Sequence, residues 1–230
     1  MPSPKPSPRR DAAGLETARL LLQIEAVNFR PERPYTLTSG WASPVYIDCR
    51  KLISYPAARR RVMEAAVAAM DRAVGFDAID AVAGGETAGI PYAAWMAEAT
   101  SLPMLYVRKK PKGFGRNAQI EGDLKPGSRV LLVEDLATDG ASKIIFVNAL
   151  RDAGATVTDA FVIFFYGVFP GAMQALEDCG VRLHHLATWW DVLDVAAEEG
   201  IFAADSIAAV RAFLDDPVAW SAAHGGRGGG

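Results

Sequence analysis

The stretch RVLLVEDLATDGASK, Arg129 to Lys143, carries four apolar residues into two adjacent carboxylates, Glu134 and Asp135, and then into a loop with Thr138, Gly140 and Ser142. Neighbouring acids repel, so the pair is costly unless something cationic or hydroxyl-bearing stands opposite it. A lone acid at this place would read as a helix N-cap or a solvated side chain. The next residues point to a ligand instead. Two hydroxyls, a glycine able to take a positive φ, and successive backbone N–H groups opening a helix form a cradle for a phosphate. The carboxylates then face a sugar while Ala137 to Ser142 hold its phosphate. Two other glycine-rich phosphate signatures, GxxxxGK[ST] and GxGxxG, do not occur in the chain.

A second cluster, RKKPKGFGR from Arg108 to Arg116, has five basic residues in nine and no acid. Charge runs are most often solvated faces. This one follows a strand end and contains Pro111, Gly113 and Gly115, as functional loops often do. A cationic loop of this kind can close over a pyrophosphate, exclude water and neutralise a leaving group. The turn AGGETAG, Ala83 to Gly89, stands at another strand end, and a strand-to-helix turn accounts for its glycines without any ligand.

Positioning these groups falls to a regular alternation of elements. Helix formers with periodic apolar residues predict a helix over about Ala12 to Asn28, and YTLTSGWASPVYIDCRK reads as a hairpin around Ser39-Gly40. Pro56 to Val74 is an alanine-rich helix begun by proline. Strand IDAVAGG leads to a helix near Ala88 to Ala99. MLYVRK leads to a long loop, RVLLVED to a helix near Ala141 to Ala153, TDAFVIFFYG to one near Pro170 to Cys179, and RLHHLATW to C-terminal helices. Continuous apolar strands that alternate with helices predict an α/β fold with a Rossmann-like, mostly parallel sheet flanked by helices, plus a small N-terminal hood built mainly from about residues 12–50. His184 and His185, within an apolar strand, and the Trp189-Trp190 pair read as structural.

Composition narrows the function. The 230 residues are half apolar, enough for a full core, and the net charge of −3 gives no general attraction to nucleic acid or anionic membrane. Cys49 and Cys179 lack metal or disulfide spacing and suit packed thiols in a cytoplasm. The most apolar window, Ala160 to Met173, is too short to cross a bilayer and is broken by Gly167 and Pro170. The Pro- and Ser-rich residues 1–11 and the glycine-rich residues 221–230 are expected to be disordered or flexible tails around a single domain, 12–220.

The VEDLATDGAS segment resembles the 5-phosphoribosyl-1-pyrophosphate (PRPP) motif of type I phosphoribosyltransferases. YVRKKPKGFGRNAQIEG is similar to the catalytic loop of orotate phosphoribosyltransferases, particularly the alphaproteobacterial type. The hairpin stretch, AGGETAGIP and LATWWDVL resemble the same family, so the likeness spans Leu20 to Trp220. It implies the type I phosphoribosyltransferase fold and transfer of phosphoribosyl from PRPP to orotate, in the pyrimidine route to UMP. It implies Glu134 and Asp135 on the ribose hydroxyls, and Leu136, Ala137, Thr138, Asp139, Gly140, Ala141 and Ser142 around the 5′-phosphate. Arg108, Lys109, Lys112 and Phe114 fall on the PRPP-contacting loop, and Gly85, Glu86 and Thr87 on the pyrophosphate. Orotate is assigned to Thr138, Tyr46 and Ile47, and the catalytic roles to Lys112 and Asp135. Mg²⁺ is expected as cofactor, carried by PRPP rather than by a protein ligand set, and a homodimer is expected to share the basic loop between subunits.

The chain departs from the family pattern at several points. Phe114 stands where a histidine is common, Asp139 where a small neutral residue is usual, and Thr38 where enterobacterial-type enzymes have lysine. No Lys or Arg occurs from Val162 to Val181, where those enzymes place an orotate-binding arginine. Two further readings share the motif: a phosphoribosyltransferase for another base, and a non-catalytic PRPP sensor binding RNA through the basic loop. The acidic balance of the chain speaks against the second.

Overall fold

The structure, a computed structural model, describes residues 11–37, 40–112, 119–138, 140–169 and 171–228. Thr38, Ser39, Gly113, Phe114, Gly115, Arg116 and Asp139, singled out above, lie outside these, as do residues 1–10. Two compact units emerge, one from Leu52–Leu186 and one joining the chain up to Lys51 with Ala187–Gly230.

Helix α1 (Ala12–Gln23) opens where the Asp11 carboxylate accepts from the Ala13 N–H, an N-cap. It stops short of the expected Asn28 because Glu25 takes a φ of 55° and turns the chain into strand β1 (Val27–Phe29). β2 (Tyr35–Thr36) pairs antiparallel with β3 (Ala42–Ser43), and Gly40, at φ 85°, makes the turn between them. β4 (Val45–Ile47) pairs with β1 instead, so the expected single hairpin is divided between two small sheets.

Helix α2 (Pro56–Ala73) leads to β5 (Ala81–Gly85), α3 (Gly89–Thr100) and β6 (Met104–Val107). A short β7 (Ile120–Glu121) precedes β8 (Arg129–Ala137), α4 (Ala141–Asp152), β9 (Thr156–Phe165), α5 (Ala172–Asp178) and β10 (Arg182–Thr188). The chain closes with α6 (Trp189–Glu198), α7 (Ala204–Asp215) and α8 (Pro217–Ala223). The six-stranded sheet has the order β10-β9-β8-β5-β6-β7, with β5 parallel to both β6 and β8, and β8 parallel to β9. Its central strands are apolar runs because helices cover both faces: Val130 to Val133 and Ala160 to Phe164 are all buried. β7, antiparallel to β6, was not expected, since two residues inside a long loop carry no periodic signal.

Ser221 and Arg227, near the C-terminal end, carry hydrogen bonds to the β2–β3 turn and to each other. The buried Ser221 hydroxyl accepts from Ala42 N–H at 3.0 Å and donates to Arg227 C=O at 2.7 Å. Arg227 N–H reaches Gly40 C=O at 2.8 Å, and its guanidinium lies over the Trp41 ring. The composition signalled flexibility but gave no hint of these partners.

At the opposite end of the sheet from its strand C-termini, Asp159 is buried on β9. It meets His184 Nε2 at 2.7 Å, Arg182 at 3.0 Å and the Thr158 hydroxyl at 2.8 Å, so His184 has a structural role here. Burial alone would raise this carboxyl, but the hydrogen bonds from His184, Arg182 and Thr158 outweigh it and hold it below its ordinary value. A depressed carboxyl contributes stability that is present above its ordinary pKa of about 4 and lost as pH falls below that. Asp159→Asn is therefore expected to lower Tm at pH 7 and to flatten the acid side of the Tm–pH curve. An unchanged acid limb in melts from pH 3 to pH 7 would show that Asp159 carries no such linkage.

Candidate active site

Register places three loops on one edge. Gly85 stands opposite Val107 and Gly84 opposite Val133, so the carboxyl ends of β5, β6 and β8 lie side by side. From these ends leave Glu86-Thr87, the basic segment Arg108 to Lys112, and the Thr138 to Ser142 loop. The chain runs from β5 to β6 on one side and returns to β8 on the other, the kind of reversal where open α/β sheets bind ligands. The three segments that sequence reading linked to phosphates are thus brought to one edge.

The third of these loops ends in a helix start. Gly140, at φ 78°, is the N-cap of α4, and its carbonyl accepts from Lys143 N–H at 3.0 Å and Ile144 N–H at 3.2 Å. No described side chain caps this helix, whose first N–H groups and dipole make its N-terminus the positive end. Thr138 is half-buried at the loop's start.

The two carboxylates behave differently. Successive residues of a strand leave on opposite faces, and both acids lie within β8, which separates their charges. Asp135 is half-buried, while Glu134 is only 7 % exposed. Asp135 is thus the more open of the two, while Glu134 turns inward. Its Oε2 lies 3.5 Å from Lys143 Nζ, and the buried Lys143 ammonium also donates to Leu136 C=O and sits 3.3 Å from Ser142 Oγ. Glu134 Oε1 has no hydrogen-bond partner among the described residues, and a Cβ at Gly85 or Gly89 would run into it. Burial pushes this carboxyl up to about 7, with Lys143 opposing the rise.

The basic segment is docked on acids. Lys112 Nζ forms an ion pair with Glu121 on β7, and Arg108 Nη1 lies 3.6 Å from the same carboxylate. Lys112 above all, then Arg108, holds the Glu121 carboxyl below its ordinary value. Lys109 N–H donates to Glu86 Oε2 at 2.7 Å, joining the basic segment to the glycine turn. Arg108 Nε is buried with no partner among the described residues.

Tyr46 and Ile47 belong to the other unit. Tyr46 is exposed beside Tyr35, with ring centroids 5.3 Å apart. Ile47 is 3 % exposed, its side chain turned inward. Sequence reading missed Glu121 and Lys143. Lys143 had a faint signal, a lone lysine just after the hydroxyl loop and at the head of an apolar helix face. Among the described residues, no group of three or more His, Cys, Asp or Glu gathers as a metal site.

Comparison with known proteins decides the family. The orotate phosphoribosyltransferase of Cereibacter sphaeroides is 58% identical over 217 residues, covering 94% of this chain and 93% of that protein. The chain belongs to the orotate phosphoribosyltransferase family. No family model matches it. The crystal structure of the orotate phosphoribosyltransferase from Aeropyrum pernix superposes with a TM-score of 0.68 at 34% identity, over 81% of this chain and 99% of that one. The Mycobacterium tuberculosis orotate phosphoribosyltransferase solved in complex with PRPP gives a TM-score of 0.60 at 25% identity, over 78% of this chain and 98% of that one.

Proposed function

We propose that this chain transfers the 5-phosphoribosyl group from PRPP to orotate, giving orotidine 5′-phosphate and pyrophosphate, within pyrimidine biosynthesis in the cytoplasm. The observation that carries this reading is the meeting of the glycine turn, the basic segment and the α4 N-terminus on one sheet edge, in a chain that matches orotate phosphoribosyltransferases along nearly its whole length. The backbone N–H groups from Thr138 to Ser142 hold the 5′-phosphate, and Asp135 accepts from a ribose hydroxyl. Gly85, Glu86 and Thr87 bind the pyrophosphate through their backbone.

The chemistry is dissociative in character. As the bond from ribose C1 to pyrophosphate breaks, positive charge grows at C1 and negative charge on the leaving group. Lys112, Arg108 and Lys109 meet the latter, the first two exchanging Glu121 for pyrophosphate oxygens. Orotate's ring nitrogen then bonds to C1 as its N–H proton is lost to the departing pyrophosphate. Mg²⁺ brought in with PRPP would supply further neutralisation of the pyrophosphate charge, a role that asks for only one or two protein carboxylates. We assign Thr138 and Tyr46 to the orotate side and a homodimer that shares the basic loop.

The test is loss of orotate absorbance with Mg-PRPP. Turnover of orotate is expected. Turnover of another base without orotate loss would move the chain to a different base specificity, and salt-sensitive RNA binding with no turnover of any base would make it a regulator.

A further inference from the structure

The Lys143–Glu134 pair lies outside the roles just given, yet it touches both phosphate-binding segments. On one side, the Lys143 ammonium holds the Leu136 carbonyl, where β8 runs out into the loop, and stands 3.3 Å from Ser142 Oγ, where the loop ends. On the other, Glu134 carries the pair across to the glycine turn, its Oε1 packed where a Cβ of Gly85 or Gly89 would sit. Both side chains are more than nine-tenths buried, at 6% and 9% exposure, so water competes little with either contact.

We propose that Lys143 is a positioning residue for PRPP: through Glu134 and Leu136 it fixes the 5′-phosphate loop against the pyrophosphate turn, setting the span between the two phosphate subsites. This rests on the functional reading above. PRPP is a donor with phosphate groups at both ends of one ribose, so its affinity depends on two cradles held at one separation. A single buried cation that ties the first and last residues of one cradle to a carboxylate lodged in the other supplies that constraint. A hydrophobic side chain at position 143 would take from the Leu136 carbonyl its Lys143 donor and from Glu134 its cation, so that the buried carboxyl is driven to take a proton and the loop loses its anchor.

The experiment compares the native chain with Lys143→Met, Lys143→Arg and the double variant Glu134→Gln with Lys143→Met. Each is measured for KM toward PRPP and orotate, for kcat, and for the rise in Tm on adding Mg-PRPP. Misplacement of a bound group by about 1 Å can cost on the order of 100-fold. Lys143→Met is accordingly expected to lose about that factor in kcat/KM for PRPP, with KM for orotate at saturating PRPP unchanged and the PRPP-induced rise in Tm lost. Lys143→Arg, which keeps the charge, is expected to recover part of the loss. A merely structural lysine would lower Tm without separating the two substrates.

Should Lys143→Met fail to fold, the double variant removes the buried carboxylate together with its cation and carries the same expectation for PRPP. Native PRPP affinity in whichever variant folds overturns the proposal. The functional reading fails separately: a native chain that PRPP stabilises but that does not consume orotate refutes the substrate, while the PRPP-induced Tm rise still tests Lys143.

Discussion

Lys112→Ala is expected to lower kcat by about 10²–10³-fold, the usual loss when one preorganised group that meets developing transition-state charge is removed. The structure explains why the loss falls on turnover rather than on folding. Lys112 is about two-fifths exposed and its only described partner is Glu121, itself partly open to solvent. Exposed pairs of this kind contribute about 0–1 kcal/mol, so the melting temperature should hardly move. Pyrophosphate carries several negative charges against one on Glu121, so the lysine has a better partner once PRPP is bound. Glu121→Gln, which removes the resting partner and leaves the cation, is the matched control: it should keep kcat near the native value. Steady-state assays at saturating PRPP and orotate, together with thermal melts, decide the matter. Turnover that survives Lys112→Ala under those conditions would rule out the closing-loop account of leaving-group stabilisation.

The sequence made the sheet and its ligand edge legible because both depend on strong local signals. Apolar runs punctuated by glycine turns located β5, β8 and β9 within a residue or two, and the Glu-Asp pair followed by hydroxyls and glycine marked the loop before α4. Weaker signals failed for definite reasons. β7 has two residues, and its existence depends on pairing with β6 across the basic loop, a contact that no periodicity encodes. The pairing of β4 with β1, which buries the Ile47 side chain, was not contained in the single hairpin that the sequence suggests. Glu134 and Asp135 looked like one functional pair, yet strand alternation sends them to different faces, and only the fold reveals that Lys143 waits for one of them. Adjacent charges in sequence are poor evidence of adjacent charges in space when the intervening backbone is extended.

Gly85→Ala carries the second large expected effect, and it tests the same crowded junction from the side of the glycine turn. A methyl at Gly85 would collide with Glu134 Oε1 and come within 2.6 Å of Phe146 Cδ2, far inside van der Waals contact. Two neighbours could yield. Phe146 is 2 % exposed in a cluster with Val147 and Leu150, where a shift of the ring disturbs its neighbours. Glu134 is the freer of the two at its Oε1, which no described group holds, but swinging it away stretches the 3.5 Å approach to Lys143. Overpacking a core by one methyl costs about 1–3 kcal/mol, which for a chain of this size lowers Tm by about 2–12 °C. The effect on PRPP is expected to be larger, on the order of 100-fold in kcat/KM, because Gly85 begins the turn assigned to pyrophosphate and the displaced carboxylate disturbs the opposite phosphate loop as well. Melting curves and PRPP titrations of Gly85→Ala measure both. If PRPP kinetics stayed native while Tm fell, the glycine would be required by packing alone, and the turn would have no part in holding the donor.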